Sequence, residues 1–215
     1  MEKQNLERFY LAAMVIIGWF ALVTQFYINM TSGISGIWEL MVRYFSYFTI
    51  QTNILVAVCF TTLLLKPQSK WGRFFSRQQT LSAITVYIVI VGLIYNTILR
   101  FLWEPEGLQK IVDELLHSVI PLLVLFYWFV FTAKDRLQWK NVLPWLIYPF
   151  AYIVYVLIRG SVSGFYPYPF INTQRLGLDK VLVNSVGIAF VFICMSLLLV
   201  MIAKSTRKEL PELSK

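Results

Sequence analysis

The sequence predicts an all-α polytopic membrane protein, a bundle of six transmembrane helices formed by residues 1–215 as one domain. Three observations lead there. Hydrophobic residues make up 58% of the 215 and charged residues 14%, too little polar surface for an ordinary water-soluble domain. The apolar residues fall into six blocks of about 20, and at about 1.5 Å per residue each crosses a hydrocarbon core of about 30 Å. Finally, the basic residues gather in alternate loops, as positively charged loops held on the cytoplasmic side would.

The first block, residues 9–29, follows the charged start MEKQNLER. Its apolar run is too long for a signal-peptide core and no small-x-small cleavage site follows, so it reads as a retained helix. The others are expected at 44–65, 81–103, 113–133, 142–159 and 180–203. Lys3, Arg8, Lys66, Lys70, Arg73, Arg77, Lys134, Arg136, Lys140, Lys204, Arg207, Lys208 and Lys215 are 13 of the 19 Lys and Arg residues and fall at one set of helix ends. Arg43, Arg100, Lys110, Arg159, Arg175 and Lys180 fall at the other, among Glu39, Glu104, Glu106, Asp113, Glu114 and Asp179. Both termini are therefore expected in the cytoplasm, and for a bacterial protein the membrane would be the cell inner membrane.

The same features narrow the function. A net charge of +8 is accounted for by topology, and with no soluble module to present a basic face, nucleic acid is not an expected partner. Cys59 and Cys194 lie within apolar helices and read as small buried hydrophobes. One histidine and no Gly-rich phosphate loop or CxxC pair leave no multi-histidine metal set, so neither metal nor cofactor is expected.

Ionisable and polar groups inside spans are expensive and often mark a site. In the second span Thr49, Thr52 and Asn53 stand at i, i+3 and i+4, on one helical face. Asn96 and Arg100, four apart, end the third span; His117 follows Asp113 and Glu114 at the start of the fourth; Asn184 begins the sixth. All fall in one layer at the non-cytoplasmic end, with Thr49 and His117 expected on the order of 6 to 10 Å inside it. The opposite halves of the spans, such as 55–65, 122–131 and 186–200, are almost purely apolar. A hydroxyl and an imidazole at the depth of lipid esters suit acyl-ester cleavage, with His117 taking the threonine proton, a carboxylate orienting the ring, and Asn or Arg donors facing the oxyanion. Helix-to-helix hydrogen bonding in a partner-binding subunit, and the vestibule of a transporter, remain the alternatives for the same residues. The loop 160–177, with its prolines, glycines and aromatic run, is expected to fold back over this end.

Three stretches carry a resemblance: residues 43–53 with Tyr47-x-Thr49, Leu116-His-Ser-Val-Ile-Pro121, and Gly164-Phe-Tyr-Pro-Tyr-Pro-Phe170. In this order on a six-helix pattern, the chain resembles the androgen-induced protein and androgen-dependent TFPI-regulating protein family and its bacterial relatives. The resemblance implies an intramembrane threonine hydrolase of fatty-acid esters of hydroxy fatty acids, with a membrane lipid or fatty-acid ester as substrate, Thr49 as nucleophile and His117 as base. The family has Asn or Asp three residues after the threonine, whereas Asn53 stands four after Thr49, so Thr52 is kept as the second candidate nucleophile.

Overall fold

The computed structural model describes residues 2–33, 36–102 and 104–206. Trp103, the expected end of the third span, and Arg207, Lys208 and Lys215 of the basic tail lie outside the described residues. Among the described residues there is no strand, and six helical segments are long and apolar enough to cross a membrane: Glu2–Met30, Phe48–Leu65, Gln78–Phe101, Gly107–Val130, Trp139–Ser163 and Leu178–Ser205. The protein is an all-α polytopic bundle.

In chain order the α-helices are α1 (Glu2–Met30), α2 (Ile37–Ser46), α3 (Phe48–Leu65), α4 (Lys70–Phe75), α5 (Gln78–Thr97), α6 (Gly107–Glu114), α7 (Ile120–Val130), α8 (Val142–Trp145), α9 (Ile147–Ser163), α10 (Thr173–Leu176) and α11 (Leu178–Ser205). A π-helical turn, Leu115–Val119, joins α6 to α7. The helix α5 is central and packs against α3, α7 and α11, while α1 runs along α3. Its small and β-branched residues let neighbours close in, and Ser82 accepts a 2.8 Å hydrogen bond from the fully buried Trp128 indole. Hydrophobic side chains such as Phe9, Val162 and Val183 stay exposed on the perimeter, the pattern of a bundle whose outer face meets lipid.

The second span corrects the expected continuous helix over 44–65. Tyr47 is extended (φ −79°, ψ 127°), and this separates α2 from α3. A tyrosine from α9 replaces what the break removes: the Tyr152 hydroxyl donates to the Ser46 carbonyl (2.9 Å) and accepts from the Phe48 N–H (3.2 Å). The helix α2 is amphipathic, with Leu40 and Tyr44 buried and Trp38 exposed.

The fourth span begins at Gly107, not at 113, and the fifth extends over Trp139–Ser163, beyond both ends of the expected 142–159. At its far end Gly164 takes a left-handed conformation (φ 72°) that closes the helix, a conformation glycine adopts without steric cost.

Candidate active site

The site begins with a proline. Pro121 has no N–H, so the carbonyls that it would bond in an α- or π-helical pattern are left free. These are the carbonyls of His117 and Leu116, and side-chain amides from two other spans take them. Asn96 Nδ2 donates to His117 O (3.3 Å) and Asn53 Nδ2 to Leu116 O (3.2 Å). The turn widens to π geometry at Leu115–Val119. Gly92 of α5 faces it, where a Cβ would stand 3.0 Å from both His117 O and Pro121 Cβ. A larger residue there would press on the turn, which would have to give by a few tenths of an ångström.

His117 projects from this turn into a polar cluster. Its Nδ1 lies 2.9 Å from the Asp113 carbonyl and 3.2 Å from Asp113 Oδ1. Two acceptors fix the proton on Nδ1, so in the neutral ring Nε2 carries the lone pair and has no hydrogen-bond partner among the described residues. Tyr95 stacks on the imidazole, with ring centroids 4.1 Å apart, and donates its hydroxyl to Asp113 Oδ2. Beside this, Arg100 pairs with Glu114 at 2.6 Å and donates to Asn96 Oδ1 (3.0 Å) and Ser118 Oγ (3.1 Å). Of the two acids considered for orienting His117, Asp113 does so; Glu114 is turned to Arg100.

Thr49 is the second residue of α3, so its N–H has no intrahelical partner. Tyr168, folded inward from the loop between α9 and α11, supplies one: its hydroxyl lies 3.2 Å from both Thr49 N and Thr49 Oγ1. The loop therefore does close over this end of the bundle, with Asn184 Nδ2 donating to Phe170 O (2.8 Å) to hold it. Burial pushes the Tyr168 phenol up to about 12, so it stays protonated and remains a donor. Thr49, Tyr152 and Tyr168 are among the few polar residues lining an apolar cavity of about 830 Å³, walled mainly by α5, α9 and α11.

Asn53 links the two halves, since its Nδ2 also donates to Thr49 O (2.9 Å). No hydrogen bond joins Thr49 to His117 directly; the threonine hydroxyl is engaged by Tyr168 and the imidazole by Asp113. Depth differs from the sequence expectation as well. Thr49 lies in the first turn of its span, whereas His117 is ten residues, about 15 Å, from Gly107. The Asn53 contact sets the two helices in register, which leaves the α6 end protruding past α3 by about 6 Å.

Other expected site residues have different work. Asn53 and Asn96 direct their amide nitrogens at backbone carbonyls, not at the cavity; Thr52 is fully buried, 3.5 Å from the Tyr148 hydroxyl; Asn184 anchors the loop. Tyr95, Ser118 and Tyr168 were not singled out as site residues from the sequence. Ser118 and Tyr168 lie inside two of the quoted motifs, and Tyr95 adjoins Asn96. Among the described residues no three His, Cys, Asp or Glu side chains gather as a metal-holding group. No protein-family model, curated protein or solved structure matches the chain.

Proposed function

We propose that this protein is an intramembrane lipid-ester hydrolase in which Thr49 is the nucleophile and His117 the general base. The observation that carries the reading is the placing of Thr49 on the wall of a lipid-sized apolar cavity, with the Asn53 amide joining its carbonyl to that of Leu116, next to the Asp113-held His117 whose Nε2 has no partner among the described residues. An acyl chain of a fatty-acid ester would occupy the cavity and bring its carbonyl to Thr49. Arrival of the ester displaces the Tyr168 hydroxyl from Thr49 Oγ1, and His117 Nε2 takes the threonine proton directly or through one water. Thr49 Oγ1 bonds to the carbonyl carbon, and the oxyanion accepts from the Tyr168 hydroxyl and the Thr49 N–H. His117 then returns its proton to the departing alcohol. Water, deprotonated by His117, then adds to the acyl carbon; the bond from that carbon to Thr49 Oγ1 breaks, His117 returns the proton to Oγ1, and the carboxylic acid is released.

The membrane orientation belongs to this proposal: the site end faces away from the cytoplasm and both termini lie in it, in a bacterium at the inner membrane. The gathering of Lys66, Lys70, Arg73, Arg77, Lys134, Arg136 and Lys140 at the opposite end supports this. A second reading, a structural or partner-binding subunit, draws support from the two asparagines, which act as interhelical ties. An active-site-directed fluorophosphonate separates the two. Hydrolase chemistry expects covalent labelling of Thr49 that is lost in His117→Ala, and an unlabelled but folded protein favours the structural reading.

A further inference from the structure

Arg159 of α9 is a buried cation without adequate partners among the described residues. Its side chain is only 9% exposed, yet every contact it makes is long: 3.5 Å to Glu39 Oε1, and 3.4 Å each to Ser163 Oγ and the Phe165 carbonyl. Its Nε is buried and has no hydrogen-bond partner among the described residues. Charge-assisted hydrogen bonds to a carboxylate normally lie at about 2.7–2.9 Å, and a guanidinium offers five donors. Glu39 does not satisfy it, because its short bond, 2.6 Å, goes to Arg43. The Arg43 guanidinium holds the Glu39 carboxyl below its usual range, so Glu39 is ionised and the trio still carries one excess positive charge.

The two arginines converge on one ring. The guanidinium carbons of Arg43 and Arg159 lie 4.8 and 4.7 Å from the Phe165 centroid. Phe165 meets Tyr47 edge-on at 6.1 Å, and Tyr47 meets Tyr168, the partner of Thr49, at 5.8 Å. The pair is thus linked to the threonine through three aromatic rings, Phe165, Tyr47 and Tyr168. Arg43 and Glu39 are 39% and 40% exposed, so the pair is open on one side and buried on the other. Burying an arginine with one charge unmatched is unfavourable unless an anion completes the set.

We propose that Arg43 and Arg159 form a binding site for the carboxylate or phosphate headgroup of a single-chain amphiphile, with Glu39 as the competing internal carboxylate. The headgroup takes the unused donors of Arg159, Glu39 swings outward, and the chain reaches the apolar side of the bundle beside Thr49. The proposal concerns binding and stands whether or not the ligand is cleaved.

Equilibrium dialysis of protein in a neutral maltoside detergent, with labelled oleate, dodecyl phosphate and oleyl alcohol, tests it. Oleate and dodecyl phosphate are expected to bind saturably and oleyl alcohol at least about tenfold more weakly, the scale of one lost charge-assisted contact. Arg43→Gln, at an exposed position that leaves the buried arginine in place, weakens oleate about tenfold and leaves oleyl alcohol unchanged. Glu39→Gln tightens oleate several-fold, an effect opposite in sign to the loss of a merely structural ion pair. Equal binding of oleate and oleyl alcohol, or unchanged oleate affinity in Arg43→Gln and Glu39→Gln, overturns the proposal. Inorganic phosphate competing as well as dodecyl phosphate overturns the lipid part of it, leaving a free-anion site.

Discussion

The Tyr168 hydroxyl lies 3.2 Å from both the backbone nitrogen and Oγ1 of Thr49. One phenol thereby satisfies a helix-terminal N–H and occupies the proposed nucleophile. Its ring is stacked on Phe170, with centroids 5.3 Å apart, so Tyr168→Phe keeps the packing and removes only the hydroxyl. Loss of one neutral hydrogen-bonding group is expected to lower stability by about 1 kcal/mol. As an oxyanion donor, the same group is worth about 10²-fold or more in kcat. Thermal unfolding in detergent alongside steady-state hydrolysis separates the two, and a variant with full activity removes Tyr168 from the mechanism.

Asp113→Asn preserves size and leaves the backbone carbonyl at position 113 to hold Nδ1–H, but removes the carboxylate charge that would stabilise the imidazolium formed when His117 takes a proton. Activity is expected to fall about 10²- to 10⁴-fold, mainly in kcat. Tyr95→Phe leaves Asp113 one donor short and is expected to have a smaller effect, about tenfold. Equal, small effects of the two substitutions would show that the pair does not orient a catalytic base.

Asn53 is 1% exposed and donates to carbonyls of two helices. Asn53→Ala leaves the Leu116 carbonyl, already deprived of a backbone donor by Pro121, with no partner, and should destabilise the protein by about 2 kcal/mol. Thr52→Ala removes a hydroxyl whose one side-chain partner among the described residues is 3.5 Å away and should lower stability by less than about 1 kcal/mol. Chemical or thermal unfolding of both variants in the same detergent gives the comparison.

The bundle was legible in the sequence because each span is a run of apolar residues long enough to cross a bilayer, a signal that depends on composition and not on tertiary detail. The break at Tyr47 was not. No proline or glycine marks it, and it exists because Tyr152 and Tyr168, more than 100 residues away, take the backbone groups it frees. The early start of the fourth span was hidden by Gln109 and Lys110, polar residues on a helix whose Val112 is fully buried. At the site, the nearness of Asp113 to His117 followed from helical spacing. In the sequence Asn53 and Asn96 are open to both oxyanion donation and helix-to-helix bonding; Pro121 favours the second, since carbonyls one turn back need outside donors, and that is where both amides go. Tyr95 and Tyr168 were missed because tyrosine in a membrane protein so often serves as an interfacial aromatic.

Topology is open to direct test. Gln68 and Glu106 are both exposed, at opposite ends of the bundle. Single cysteines there, in a background with Cys59 and Cys194 replaced, should differ in whole cells: an impermeant maleimide labels the Glu106 position and labels the Gln68 position only after the membrane is opened. The reverse pattern would place Thr49 and His117 at the cytoplasmic face.

The most direct test of the account is hydrolysis by the purified protein of fatty-acid esters of hydroxy fatty acids, with Thr49→Ala, Thr52→Ala and His117→Ala measured in parallel and a chelator present throughout. A threonine hydroxyl needs a poised base to attack at neutral pH. Turnover is therefore expected from the wild type and from Thr52→Ala, and its loss from folded Thr49→Ala and His117→Ala. Turnover that survives His117→Ala, or that resides in Thr52 and not Thr49, contradicts it.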